Sequence, residues 1–209
     1  MRNKSKPRRN PIPYPWQKEI AHVLIPKVEL EKRVRFLARQ IEEDFHGSEL
    51  VIVALLNGTV LFLADLIRQL SLPLRLDFLG VSSYRNGTRS RTLVYTKELR
   101  LDVRGRDVLV LDDILDTGKT LASVLAKLRR LKPRRLKTCV LLDKPSRRIA
   151  KVTADYVGFP IPNSFVVGYG LDFAERYRNL PFVGVLRPEV YAKSNLSISR
   201  SRSTKPKFD

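Results

Sequence analysis

Residues 108–121 read Val-Leu-Val-Leu-Asp-Asp-Ile-Leu-Asp-Thr-Gly-Lys-Thr-Leu, and this stretch decides the fold class. Val108 to Leu111 have the unbroken apolar character of a strand buried on both faces. They run directly into Asp112 and Asp113, and a third carboxylate, Asp116, follows two apolar residues later. Thr117, Gly118, Lys119 and Thr120 then lead into an apolar-periodic helix. A buried strand that carries acids to its carboxyl end, then a small-residue loop, then a helix, is an α/β unit. Free backbone N–H groups and the positive end of the helix dipole make that loop attractive to phosphate. Carboxylates this close repel one another unless cations or hydroxyls are bound. The combination suits a phosphorylated sugar, with hydroxyls on the acids and phosphate in the loop.

Gly118-Lys119-Thr120 invites comparison with a nucleotide-triphosphatase P-loop, which requires a second glycine five positions earlier. Asp113 stands there, so that class is set aside. Helix capping alone would explain Thr117 or Asp116. It does not explain three acids at one strand end.

Outward from this unit the same alternation continues. Helices are predicted over Val28–Phe45, Val60–Leu70 and Lys119–Leu131, and strands over Leu50–Leu56, Leu74–Val81, Asp107–Leu111, Leu136–Leu142 and Tyr156–Phe159. Phe165–Gly168 and Phe182–Val185 are expected to close the sheet. Ser82–Arg91, with Asn86-Gly87, reads as an exposed loop or hairpin whose return strand is Leu93–Leu99. Short buried strands between helices indicate an α/β fold with a mainly parallel sheet. Ligands bind at the carboxyl ends of such strands, here after Leu56, Leu111 and Leu142.

The 209 residues, 43% of them hydrophobic, suit one domain with flanking segments. The single cysteine, Cys139, lies in an apolar run, excludes an intrachain disulfide and suits a reducing cytoplasm. No apolar run approaches the roughly 18 residues of a membrane span, and the basic N-terminus lacks the apolar segment of a signal peptide. The formal net charge is +19. Residues 1–18 hold six Lys or Arg, no acid and four prolines, and are expected to form a flexible basic arm. Residues 193–209 read as a disordered basic tail, and 19–192 as the folded domain. Nucleic-acid contact through the tails is possible on charge, but solubility is the favoured reading.

With these residues in view, the chain resembles the purine phosphoribosyltransferases of the hypoxanthine–guanine type, over roughly Val51 to Leu186 and with motifs in matching order. The resemblance implies a type I phosphoribosyltransferase fold, a central mainly parallel sheet flanked by helices with a small hood. It implies a cytoplasmic purine salvage enzyme that joins hypoxanthine or guanine, through N9, to the sugar of phosphoribosyl pyrophosphate with Mg²⁺. A homodimer or homotetramer is implied, with no membrane partner.

Residue by residue, Leu109–Leu121 is similar to the phosphoribosyl pyrophosphate loop. Asp112 and Asp113 would bind the ribose hydroxyls, Asp116 would be the general base near purine N7, and Thr117, Gly118, Lys119 and Thr120 would wrap the 5′-phosphate. Many relatives carry Glu where this chain has Asp112. Leu55-Leu56-Asn57-Gly58-Thr59 resembles the pyrophosphate loop, in which relatives often place Lys or Arg at Asn57. Arg178 would join Asn57 and Gly58 in receiving pyrophosphate. Ser83 and Tyr84 would begin a catalytic lid that excludes water. Lys144 would donate to the purine O6, Phe165 would stack on the base, and Val166 would meet its edge through the backbone. Asp172, with Asp112 and Asp113, would hold Mg²⁺. The competing function is an RNA-binding regulator on the same fold, like the pyrimidine-operon attenuators. High positive charge favours it, and an acid at position 116 argues against it.

Overall fold

A computed structural model of the chain describes residues 12–84 and 92–192. A six-stranded sheet has the order β4-β3-β2-β5-β6-β7, with β2 at Leu50–Leu56, β3 at Leu74–Tyr84, β4 at Thr92–Lys97, β5 at Asp107–Leu115, β6 at Arg135–Asp143 and β7 at Tyr156–Pro160. All its pairings are parallel except β3 with β4, a hairpin. Helices α1 (Lys27–Asp44) and α2 (Val60–Ile67) share one core with Leu50, Ile52, Ala54, Leu109 and Leu111. Helix α3 (Lys119–Arg130) shares the other with Val51, Val53, Leu55, Val108 and Val110. Alternate residues of β2 and β5 thus serve opposite layers, which is why both strands read as unbroken apolar runs.

From β2 the chain adds β3 on one side, then returns to place β5 on the other. The carboxyl ends of β2 and β5 are therefore neighbours where the strand order reverses, the place where open α/β sheets bind ligands. Leu56 leads into Asn57-Gly58, and Leu115 leads into Asp116–Thr120.

Three expectations need correction. The main strand does not stop at Leu111. It continues through Asp112 and Asp113 to Leu115, held by pairs such as Asp112 with Val140 and Ile114 with Leu142. Phe165–Gly168 and Phe182–Val185 do not close the main sheet either. Val166–Val167 (β8) and Val183–Leu186 (β9) join Ile20–Ile25 (β1), a strand absent from the sequence reading, in a separate three-stranded antiparallel sheet. This small sheet is the hood. Its own core includes Ile12, Ile20, Val167, Tyr177, Leu180 and Phe182.

The third correction concerns the N-terminal arm. Its described part, residues 12–18, packs on the hood: Ile12 is buried and the Trp16 ring lies 4.8 Å from that of Tyr177. The rest of the arm, residues 1–11, and the basic tail 193–209 lie outside the described residues.

Candidate active site

Two adjoining cavities open at the carboxyl ends of the strands. The first, of about 310 Å³, is lined by Asn57, Gly58, Asp112, Asp113, Asp116, Thr117, Gly118, Thr120, Asp172 and Arg178. The second, of about 520 Å³, is lined by Lys144, Arg147, Phe165, Val166 and Tyr191. Asp113, Ile114, Asp116 and Asp172 border both. Residues expected to hold a sugar phosphate thus surround one space, residues expected to hold a purine surround the next, and Asp116 stands at the seam. A cavity of about 660 Å³ between α1 and α2 contains none of the predicted site residues. Size is a poorer guide here than the chemistry of the lining.

The geometry of the loop between β5 and α3 follows from one glycine. Gly118 precedes α3 with φ +79°, and a Cβ there would lie 2.7 Å from Val152 Cγ1. Only glycine meets both conditions without strain. The loop is strapped from outside by the segment after β6. Ile149 and Ala150 N–H both donate to the Thr117 carbonyl at 3.0 Å, and Lys144 N–H donates to the Leu115 carbonyl at 2.9 Å. Arg148 Nη1 donates to the carbonyls of Leu115 and Asp116, while its Nη2 donates to Asp143. Lys119 is exposed and borders neither cavity, so its part in the loop is that of its backbone at the head of α3.

Asp112 is buried and Asp113 partly so. Burial pushes the Asp112 carboxyl well above the ordinary carboxylate range, and the neighbouring Asp113 pushes it further. Burial also raises Asp113, against hydrogen bonds from Asp112 and backbone N–H groups and the charge of Arg178. Two acids held in this state favour a ligand that supplies hydroxyl donors or a cation. Gly58 lies directly under them, and a Cβ there would collide with the Asp113 carboxylate.

Arg178 reaches this cavity along Asp172. Its Nη1 donates to the Gly170 carbonyl at 2.9 Å and lies 3.0 Å from Asp172 Oδ1, and its Nη2 donates to Glu175 at 2.7 Å. Asp172 Oδ2 accepts the Glu175 N–H at 3.0 Å. The acid expected at a metal and the cation expected at pyrophosphate are therefore paired with each other. Among the described residues, no cluster of three or more acid, histidine or cysteine side chains is placed to hold a metal by itself.

In the second cavity Lys144 is buried, and burial lowers its ammonium below the ordinary lysine range. Asp116 opposes that shift and Arg147 adds to it. Val166 is held in β8 opposite Val185. Phe165 is 39% exposed, stacks on Tyr191 with centroids 5.0 Å apart, and meets Phe173 edge-on at 5.5 Å. Ser83 and Tyr84, expected in the lid, belong by their backbone to β3 and pair with Leu93 and Thr92. The rest of that segment, residues 85–91, lies outside the described residues. Sequence reasoning missed Arg147, Arg148 and Tyr191. The available signal for the first two was a pair of adjacent arginines a short turn after Lys144.

Similarity to known proteins shows the family and the fold. The family model for the phosphoribosyl transferase domain matches residues 26–174. A hypoxanthine phosphoribosyltransferase of Salmonella typhimurium is 47% identical over 170 residues, which is 80% of this chain and 96% of that protein. A bifunctional TilS/HprT protein of Listeria monocytogenes is 46% identical over 176 residues, but this chain spans only 27% of its length. A solved hypoxanthine phosphoribosyltransferase from Staphylococcus aureus superimposes with a TM-score of 0.82 at 41% identity, covering 86% of this chain and 98% of that one.

Proposed function

The chain belongs to the phosphoribosyltransferase family, and on that premise we propose that it is a purine salvage enzyme. It transfers the 5-phosphoribosyl group of phosphoribosyl pyrophosphate to N9 of hypoxanthine or guanine, giving inosine or guanosine monophosphate and pyrophosphate. The observation that carries this reading is the position of Asp116 at the seam between the acid-and-loop cavity and the cavity of Lys144 and Phe165. The RNA-binding alternative rests on charge alone and gives these two joined cavities no task.

In the reaction N9 attacks the anomeric carbon, the bond to pyrophosphate breaks with its electron pair, and the N7 proton leaves the base. Asp116 takes or orients that proton. The 5′-phosphate is held by the Thr117–Thr120 loop, with N–H donors at the head of α3. Asp112 and Asp113 accept from the ribose hydroxyls, which relieves their mutual repulsion. Asn57 and Gly58 offer backbone donors to the departing pyrophosphate, and Arg178 offers a forked cation once it exchanges Asp172 for the anion. Lys144 donates to O6, and Phe165 and Ile114 border the base. Positioning and electrostatics carry this chemistry, with no covalent enzyme intermediate.

Hard carboxylate oxygens at Asp112, Asp113 and Asp172 suit Mg²⁺, which keeps waters and takes one or two protein carboxylates together with substrate phosphates. An ion held there would neutralise charge on pyrophosphate. We place the enzyme in the cytoplasm, consistent with one buried cysteine, and as a homodimer or homotetramer. No described helix is long and apolar enough to cross a membrane. The test is incubation with phosphoribosyl pyrophosphate, Mg²⁺ and each of hypoxanthine, guanine and xanthine in turn. Nucleotide formed from the first two supports the assignment, and none from any base refutes it.

A further inference from the structure

Arg147 has no task in the reaction above, yet its side chain contacts the Asp116 carboxylate. Its Nε donates to Asp116 Oδ1 at 3.1 Å. The contact follows from a local turn. Pro145–Arg147 form one turn of 3-10 helix with Lys144 as its N-terminal cap, closed by the Arg147 N–H to Lys144 carbonyl bond at 3.0 Å. That bond brings Arg147 back beside Lys144. Both border the base cavity.

The pairing has a specific form. A guanidinium nitrogen meets one carboxylate oxygen and leaves Arg147 no bond to the other. The next residue, Arg148, holds the Asp116 carbonyl. Adjacent arginines thus fix the main chain and the side chain of a single aspartate. The side chains of Arg147 and Asp116 are 47% and 39% exposed, and ion pairs that open to water add little stability. Their value lies in geometry.

We propose that Arg147 is a positioning residue for phosphoribosyl transfer. It holds Asp116 by Oδ1, which leaves Oδ2 to meet the N7 proton of the purine. This rests on the reading of Asp116 as the group that takes or orients that proton. An Asp116 carboxylate free to rotate spends less time aligned, and misplacement of about 1 Å can cost about a hundredfold in rate.

The test is a cycle of Arg147→Ala, Asp116→Asn and the double variant, with Arg147→Lys as rescue, measured as kcat and KM for both substrates alongside thermal melts. Arg147→Ala is expected to lower kcat about 10- to 100-fold, with both KM values within about twofold and the melt unchanged. Arg147→Lys should recover part of the loss. In the Asp116→Asn background, removing Arg147 should change kcat less than about twofold. Unchanged kcat in Arg147→Ala, a loss confined to purine KM, or a kcat loss that multiplies fully with that of Asp116→Asn would overturn the proposal. If Asp116→Asn itself turns over normally, the reading of Asp116 fails with it. If Asp116→Asn is impaired and Arg147→Ala is not, the positioning role alone is refuted.

Discussion

Gly170 packs directly onto the carbonyl of Gly58, so closely that a Cβ on Gly170 would lie 2.0 Å from that oxygen. The contact joins the loop after β2 to the segment that carries Asp172 and Arg178. Gly58 in turn lies against the Asp113 carboxylate, so two loops and the end of β5 are stacked with no space for a methyl group between them.

Gly170→Ala is therefore expected to destabilise the protein and disturb the pyrophosphate side of the site. Its φ of +99° adds strain to the collision. A loss of about 1–3 kcal/mol is expected, a fall of several degrees in Tm for a domain of this size. Gly47→Ala is the matched comparison, because Gly47 has φ +72° but nothing within 4 Å of its Cβ position. It should cost less and leave kcat/KM intact. Equal losses in the two variants would show that strain alone matters.

Asp112→Asn should separate stability from binding. The Asp112 carboxyl is pushed upward by burial and then by Asp113, so ionising it costs the empty protein stability. The variant should melt a few degrees higher without substrate, yet bind phosphoribosyl pyrophosphate about tenfold or more weakly. Calorimetric melts with and without the substrate read both effects. Unchanged affinity would remove Asp112 from the sugar site.

Asp77 gives a pH signature remote from the chemistry. Burial opposes its ionisation, but the Leu101, Arg100 and Phe78 N–H groups and Lys97 outweigh burial and lower its pKa from 3.8 to about 2. A depressed acid stabilises the fold above its unfolded value, and this stability is lost as pH falls from 3.8 toward about 2. The contribution is on the order of 2 kcal/mol. Denaturant titrations of the wild type should show that loss across this window. Asp77→Asn should be less stable at neutral pH and flatter below pH 4. A variant with the wild-type acid profile would assign the loss to other groups.

Lys144 should give the base site an alkaline limit. Burial lowers its ammonium from the ordinary 10.5, so the charge offered to O6 is lost as pH rises through a value below the usual lysine range. Purine KM should rise on the alkaline side, with KM for phosphoribosyl pyrophosphate much less affected. Lys144→Met should show a high purine KM with no alkaline limb of this origin. A limb that persists in Lys144→Met belongs to another group.

Much of this was legible in residues 108–121, where local order alone indicates a strand, an acid cluster and a glycine turn into a helix. The limits of the reading have physical causes. β5 extends through Asp112 because pairing with β6 offsets the poor strand propensity of aspartate. The hood was misjoined because two- to six-residue strands carry little periodicity, and its partner strand β1 lies more than 140 residues away in sequence. Arg147 and Arg148 were missed because exposed arginines have no pattern of their own. Only the turn after Lys144 brings them to Asp116. The reach of the acids, the occupancy of Arg178 by Asp172 and the stacking of Tyr191 on Phe165 are tertiary facts that no local window contains.

The most direct test is turnover of the Asp116→Asn variant with phosphoribosyl pyrophosphate, Mg²⁺ and hypoxanthine, read as nucleotide and pyrophosphate formed together. The wild type should give the two products one for one. The variant should retain the thermal stabilisation caused by phosphoribosyl pyrophosphate while kcat falls about 10²-fold or more. Wild-type turnover by Asp116→Asn, or no nucleotide from the unaltered protein, would contradict the assignment.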